Sequence, residues 1–380
     1  MTGGVLILSP DFPPARGGVS DHTLHLAKAL STHAAVSVLT SARLQPVPTT
    51  YPVYARVESW HEPNLLFTLI QQLAPEATLL WQYVPHMYGR GGVNSALPRL
   101  MSRLRATGHR QLLIAHEIAA PLSFWPHRLR YSLAHRQQWR QILKTVDAVG
   151  ISTEAWLDEW SYRLPEHGSQ LFLAPSPSGI PFTPAPADHR AVWRSQHALP
   201  PNAVVLAYFG TFGNNRHFDW LFEAWRRAQR PNQPVALAFI GDIPEYPVPD
   251  RLRHLFRPLG YLQPDDASRA LQAADVLALP FTDGVSERRT SFMSGLHHGV
   301  ATVTTIGHST GPTLQQSNFF AAVPATDAPA FLRRILKLFD DAAGRASLGS
   351  AARHTYHDRY DWPVLARSIW SRVTDVRKLI

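Results

Sequence analysis

ALPFTDGVSERRTSFMSGLHHGVATVTT, Ala278 to Thr305, changes character four times in succession. It closes an apolar strand (Val276 to Pro280) and breaks into a loop carrying Asp283, Gly284 and Ser286. It then restarts as a helix that Gly299 stops, and ends in the β-branched run Val300 to Thr305. Strand, polar loop, helix and second strand make a βαβ unit, which requires a parallel sheet. Open parallel sheets bind ligands beyond the carboxyl ends of their strands, where loops meet helix N-termini. Arg288 and Arg289 fall near the helix start, beside the hydroxyls of Ser286, Thr290 and Ser291. Backbone N–H groups, a helix dipole and guanidinium forks suit a phosphate. The alternative is a solvated helix end with surface arginines.

The same alternation runs outward in both directions. Val5–Pro10 (VLILSP) is a short continuous apolar run, as a strand buried on both faces requires. A turn-rich loop and Gly17-Gly18 follow, then a helix with apolar residues at Leu24, Leu26, Ala27 and Leu30, for which Ser20 or Asp21 is a good N-cap. Glycines between a strand and its helix allow a ligand close to the backbone. Further strands are expected at 35–40, 77–83, 112–115, 148–152 and 170–174. Residues 176–202, rich in Pro, Ser and Ala, hold the best linker candidate, after which the pattern restarts at 203–209. The loop GTFGNNR then leads into an amphipathic helix, and strands recur at 235–240, as a short one in the LGYLQP stretch from Leu259, and at 276–280. The expected architecture is α/β, with two successive Rossmann-like parallel-sheet domains. Their expected limits are 1–182 and 183–360, followed by a last helix over 361–380 with Pro363 in its first turn.

Composition bounds the function. A chain of 380 residues exceeds one ordinary domain, and 45% hydrophobic content supports sizeable cores. With no cysteine, disulfides, thiolate metal sites and cysteine nucleophiles are excluded, which fits a cytoplasmic protein. No apolar run approaches the ~20 residues that span a bilayer, and the N-terminus lacks the basic region of a signal peptide. A formal charge of +9 and a pI near 10.0 favour an anionic partner. The charge is uneven. From Arg90 to Lys144 stand nine arginines and one lysine against one acidic residue, Glu117. Within it, Pro126–Thr145 interleaves apolar residues with basic ones, the pattern of a helix on an anionic membrane surface or of an amphipathic helix packed on the sheet. No helix-turn-helix, OB-fold or RNA-binding signature accompanies the charge, so no nucleic-acid partner is expected.

Several stretches together resemble the retaining glycosyltransferases of family 4. DFPPARGGVSDHTLHLAKAL is similar to that family's Pro-Pro-x-x-Gly-Gly loop and helix, and LLIAHE to the strand that delivers a His. FGTFGNNRHFDWLFEAW resembles the opening of its second domain, and LGYLQPDDASRALQAADVLALPFTDG with SGLHHGVATVTT the approach to its donor loop and the continuation. YDWPVLA looks like the start of its last helix, which crosses back to the first domain. The resemblance covers essentially the whole chain. It implies GT-B architecture, two Rossmann-like domains facing a cleft. It also implies transfer of a sugar from a nucleotide-diphosphate sugar to a sugar, lipid-linked or other hydroxyl acceptor, with retention by front-face attack and no cofactor.

By the same resemblance His116 contacts the donor sugar or orients the acceptor. Gly17, Gly18, Gly210, Thr211, Arg216, Ser286, Arg288, Arg289, Thr290 and Ser294 fall to the donor side. Asp11 and Glu117 fall to the acceptor side; Tyr83 and His86, in a loop after a strand, line an acceptor pocket or belong to the core. The family's Glu-x7-Glu pair is altered. Its second position is Ser294, and its first falls at Ser286 or Glu287, which makes Glu287 a catalytic candidate beside His116. A hydroxyl cannot grip a ribose as a carboxylate does. Thr211 replaces an Arg of the family's pyrophosphate loop, and Arg216 stands where its Lys would be. Arg288 and Arg289 diverge on a helix, so one of them faces a ligand. Ser294 keeps open an inactive sugar- or nucleotide-binding protein; a nucleotide-sugar epimerase is the other alternative.

Loss of a diphosphate needs its growing charge stabilised, by a metal in some folds and by cationic side chains and helix N-termini in others. The sequence has no Asp-x-Asp motif. His297 and His298 are adjacent on a helix, about 100° apart, and do not converge. His22 and His25 share a helix face and are expected at the surface. No metal is expected.

Overall fold

The computed structural model describes residues 4–122, 124–241 and 247–375. The chain divides into two compact units, residues 4–175 with 362–375, and residues 176–361.

The first unit is built on β1 (Val5–Leu8), β2 (Val36–Ser41), β3 (Val53–Val57), β4 (Thr78–Tyr83), β5 (Gln111–Ala115), β6 (Ala148–Ile151) and β7 (Leu171–Leu173). All pair in parallel, in the order β3-β2-β1-β4-β5-β6-β7. Between them run α1 (Gly18–Leu30), α2 (Pro63–Leu73), α3 (Pro85–Tyr88), α4 (Ala96–Ala106), α5 (Pro126–Leu143) and α6 (Glu154–Arg163). Leu6, Ile7 and Leu8 of β1 are fully buried, as a central strand covered by helices on both faces demands. At ~2 kcal/mol for each large aliphatic side chain removed from water, such runs hold the sheet at the centre of the unit.

The second unit repeats the plan with β8 (Val204–Phe209), β9 (Val235–Ile240), β10 (Phe256–Gly260), β11 (Val276–Leu279), β12 (Ala301–Ile306) and β13 (Ala321–Pro324). They pair in parallel as β10-β9-β8-β11-β12-β13. Its helices are α7 (His189–Gln196), α8 (Phe218–Arg227), α9 (Pro264–Ala273), α10 (Thr290–His297), α11 (Pro312–Gln315), α12 (Ala328–Asp340) and α13 (Ala342–Thr355). A last helix, α14 (Trp362–Asp375), belongs to the first unit. Its Leu365, Ala366, Ile369 and Val373 are buried with Val5, Ile7 and Leu26. No helix among the described residues is long and apolar enough to cross a membrane.

In each sheet the chain order reverses once, between β1 and β4 and between β8 and β11. Loops leaving neighbouring strands there turn to opposite faces and open a crevice at their carboxyl ends.

The strands expected from apolar runs are present, with two edge strands added. Val53–Val57 and Ala321–Pro324 lie at sheet margins and are only partly buried, so they lack the continuous apolar signature. Helix α1 starts at Gly18, ahead of the expected caps Ser20 and Asp21; Gly17 caps it without a side-chain hydrogen bond. The stretch 176–202 is more than a linker. It contains α7, Ser178 Oγ meets Ser294 Oγ at 2.9 Å, and the Thr183 N–H donates to Ser268 Oγ at 3.0 Å. Those bonds set Ser178 and Thr183 alike in the second unit, whose first residue is Ser176.

Candidate active site

Strand β8 ends at Phe209, and Gly210 turns the chain with φ of 139° while its N–H donates to Ile240 O at 3.0 Å. Gly241, at φ of 130°, lies so close that a Cβ on it would stand 1.9 Å from the Gly210 carbonyl oxygen. Only glycine fits there. The loop after β8 is thereby pinned to the loop after β9. It ends at Arg216, which forms an antiparallel bridge with Phe281 just after β11. The Arg216 guanidinium carbon sits 4.1 Å from the Phe281 ring centroid, and Nη1 donates to Asn215 O at 3.0 Å. Its Nε is buried with no partner among the described residues. Burial lowers the Arg216 pKa, against the opposing pull of the Tyr208 hydroxyl and Asp283. A guanidinium still keeps its charge at neutral pH.

The loop from β11 to α10 brings a second guanidinium to the same ring. Arg289 Cζ is 4.7 Å from the Phe281 centroid, and Nη2 donates to both Asp283 carboxylate oxygens at 2.6 and 2.5 Å. Asp283 also accepts from Ser309 Oγ at 3.2 Å. Burial lowers the Arg289 pKa to about 10, although Asp283 resists the change. Two cations and one carboxylate on one aromatic platform leave a net positive charge. The Nε of Arg289, like that of Arg216, is buried and unpartnered among the described residues. Such a site favours an anion with several acceptor oxygens.

Arg289 caps α10, whose first backbone N–H groups have no intrahelical acceptor. Thr290 is exposed at that helix start, and Arg288 is half-buried. Ser286 is buried, and its Oγ has no partner among the described residues. Glu287 is fully buried, and its carbonyl accepts from the Ser176 N–H at 3.0 Å. Ser294 lies one turn into the helix, fully buried. Its hydroxyl bonds Thr290 O at 2.8 Å and Ser178 Oγ at 2.9 Å, so it ties α10 to the segment before α7. Thr211 is exposed, and its carbonyl accepts from the Tyr208 hydroxyl at 3.0 Å.

In the first unit, Asp11 follows β1 and pairs with Arg43 at 3.5 Å. A Cβ on Gly17 or Gly18 would meet nothing within 4 Å, so packing does not require glycine at either place. His116 follows β5; its backbone N–H donates to Tyr83 O at 2.9 Å and its Nε2 lies 2.6 Å from Gln82 Oε1. His22 corrects the expectation of a surface residue. It is 4% exposed, edge-on to His116 with ring centroids 4.6 Å apart and 5.1 Å from Trp362. Burial, with His116 beside it, drives the His22 pKa well down. The Tyr83 ring is 1% exposed between Tyr88 and Trp139, and its hydroxyl accepts from Gln138 Nε2 at 2.9 Å. It is a packing residue. His86 and Glu117 are exposed.

Sequence reasoning passed over Phe281 and Tyr208 as site residues, and over the Asp283–Arg289 pair. A Phe directly after a strand at the order reversal was the available signal. It also missed a pocket of about 260 Å³ beside β1 to β3, lined by Pro10, Arg43, Glu58, Trp60 and His61 among others. Among the described residues no three His, Asp or Glu side chains are grouped to hold a metal ion.

Residues 203–341 match the family model of glycosyl transferases group 1. That stretch contains β8 to α12 and Arg216, Arg288 and Arg289. No curated protein matches the chain. Among solved structures it is similar to sucrose-phosphate synthase from Thermosynechococcus elongatus, with a TM-score of 0.69 at 16% identity over 99% of both chains. Anabaena HepE, in complex with UDP and glucose, gives 0.69 at 14% identity over 98% of this chain and 100% of its own. A glycosyltransferase from Rickettsia africae gives 0.72 at 11% identity over the full length of both. The architecture is α/β GT-B, and the family match supports a group 1 glycosyltransferase.

Proposed function

We propose that the protein is a retaining, metal-independent glycosyltransferase of family 4 that uses a nucleotide-diphosphate sugar. The observation that carries this reading is the convergence of Arg216 and Arg289 on Phe281, at the order reversal between β8 and β11. In this reading Arg216, Arg289 and the N-terminus of α10 receive the diphosphate, with Ser286, Arg288 and Thr290 around them. As the bond from the anomeric carbon to phosphate oxygen breaks, negative charge grows on the diphosphate, and the two guanidiniums stabilise it. The acceptor hydroxyl bonds to the same face of that carbon and passes its proton to the departing diphosphate oxygen. The reaction then needs no nucleophile from the chain. His116 orients the sugar or the acceptor, and Asp11, Glu117 and His86 serve the acceptor.

Glu287 is kept as a candidate for contact with the sugar through its loop. HepE's complexes with UDP, glucose and UDP-glucose make UDP the first nucleotide to test.

The experiment is thermal unfolding with UDP, GDP, ADP, TDP and CMP and their sugar conjugates, with and without EDTA. A ligand at 100 times its dissociation constant adds about 2.7 kcal/mol. One nucleotide should raise the midpoint in EDTA as well as without it, and Arg216→Ala should cut the stabilisation to about half or less. No shift with any of them overturns the donor site. A shift without turnover or hydrolysis of the sugar conjugate would mark a binding protein instead, and interconversion of free donor an epimerase.

A further inference from the structure

Helix α5 begins outside the body of its unit. Every residue from Phe124 to Tyr131 is exposed, so its first turn and a half projects with no buried side. Only from Ser132 onward does one face pack, through Ser132, His135, Trp139, Ile142 and Leu143. What projects is apolar. Leu122, Phe124, Trp125, Leu129, Tyr131 and Leu133 are 58, 106, 66, 36, 49 and 52% exposed. They are six of the eleven large apolar side chains that the described residues leave exposed, gathered within twelve positions. Scattered surface leucines need no explanation, whereas a cluster this dense does.

Along the chain, the charge in this stretch has one sign. No Asp or Glu occurs between Glu117 and Asp147. Arg128, Arg130, Arg140 and Lys144 are exposed, with no ion-pair partner among the described residues.

We propose that Leu122 and residues 124–144 dock on an anionic lipid bilayer. An exposed helix start with no buried side suits a deformable surface. A bilayer offers anionic headgroups above hydrocarbon, so the arginines can meet phosphate while Leu122, Phe124, Leu129 and Leu133 reach the acyl boundary. Trp125 and Tyr131 carry a polar atom on an apolar ring, the side chains favoured at that interface. Nucleic acid would match the charge but has no use for four exposed aliphatic and phenyl side chains. The surface stands independently of the arginine site.

The test is co-sedimentation of the full chain with phosphatidylcholine vesicles and with phosphatidylcholine–phosphatidylglycerol vesicles. Partitioning should require the anionic lipid and weaken with salt. The triple variant Phe124→Ser, Leu129→Ser, Leu133→Ser and the double variant Arg128→Glu, Arg130→Glu should each lower partitioning at least about tenfold. All these side chains are exposed, so the fold, followed by circular dichroism, should persist. Arg333→Glu with Arg334→Glu, on exposed positions of α12, should change partitioning little. Equal sedimentation with both vesicle types overturns the proposal. So does a loss in the α12 variant as large as in α5, or wild-type partitioning of the serine variant.

Discussion

His116 Nε2 lies 2.6 Å from the side-chain oxygen of Gln82, a residue with no exposed surface at the end of β4. An amide oxygen only accepts, so the proton of the neutral ring is on Nε2 and the lone pair on Nδ1. Gln82 therefore sets which nitrogen can accept a proton. Gln82→Glu places a carboxylate at that distance, which should favour the imidazolium form of His116. The acidic limb of the pH–rate profile should move up with it. An unchanged His116 titration by NMR in that variant would sink the assignment.

Arg216 and Arg289 share Phe281 but should fail differently. Arg216→Ala removes a guanidinium without leaving a paired carboxylate behind. It should weaken nucleoside diphosphate binding by about 10–100-fold, the worth of one or two charge-assisted hydrogen bonds, with little loss of stability. Arg289→Met strands Asp283, a carboxylate 23% exposed. That should cost about 2 kcal/mol of stability, and Asp283→Asn in the same chain should restore part of it. Calorimetry of the double-mutant cycle checks both; equal stability losses in the two single variants would contradict the difference.

Glycines at the two sites divide the same way. Gly241→Ala forces a Cβ to 1.9 Å from a backbone oxygen at φ of 130°, and should cost about 3 kcal/mol or more. Gly18→Ala meets nothing within 4 Å, so stability should hold or rise by a few tenths of a kcal/mol. Turnover is where Gly18→Ala should show, by blocking a ligand at the start of α1. Normal kinetics in Gly18→Ala would remove that helix start from the site.

His298 predicts an acid weakness. Its Nδ1–H donates to Ser294 O at 2.8 Å, its Nε2 accepts from Ser268 Oγ at 2.9 Å, and burial lowers its pKa to about 4. A depressed histidine stays neutral in the folded chain while the unfolded one takes up a proton below its ordinary 6.5. Stability is therefore lost as pH falls from 6.5 toward 4, by about 3 kcal/mol in all. His298→Gln should unfold at a midpoint that varies less over that range. If its dependence on pH matches the parent chain, the slope comes from other groups.

The parallel sheets were legible because their central strands are buried on both faces and so are written as unbroken apolar runs. Val53–Val57 escaped for the opposite reason. It is a half-buried edge strand with Arg56 in it. Arg216 could be found from its place after a strand, but its platform could not. Phe281 is brought to it by strand order, and local spacing does not encode that. The burial of His22 was equally hidden, because the ring that covers it, Trp362, comes from the far end of the chain. Ser294 reads in sequence as a weakened ligand. In the fold its hydroxyl is already bonded to Ser178.

Helix α14 makes the first unit discontinuous in the chain, since Leu365, Ala366, Ile369 and Val373 complete the cluster begun by Val5 and Ile7. On the ribosome, residues 176–361 must be made before that cluster can close. At 5–20 residues per second this is roughly 10–40 s. For that time the outer face of β1 and α1 lacks its cover, and a holding chaperone would find its target there. A nonsense codon anywhere in the second unit also leaves the first one unfinished. The part of the molecule that is synthesised first is the last to become a folded body.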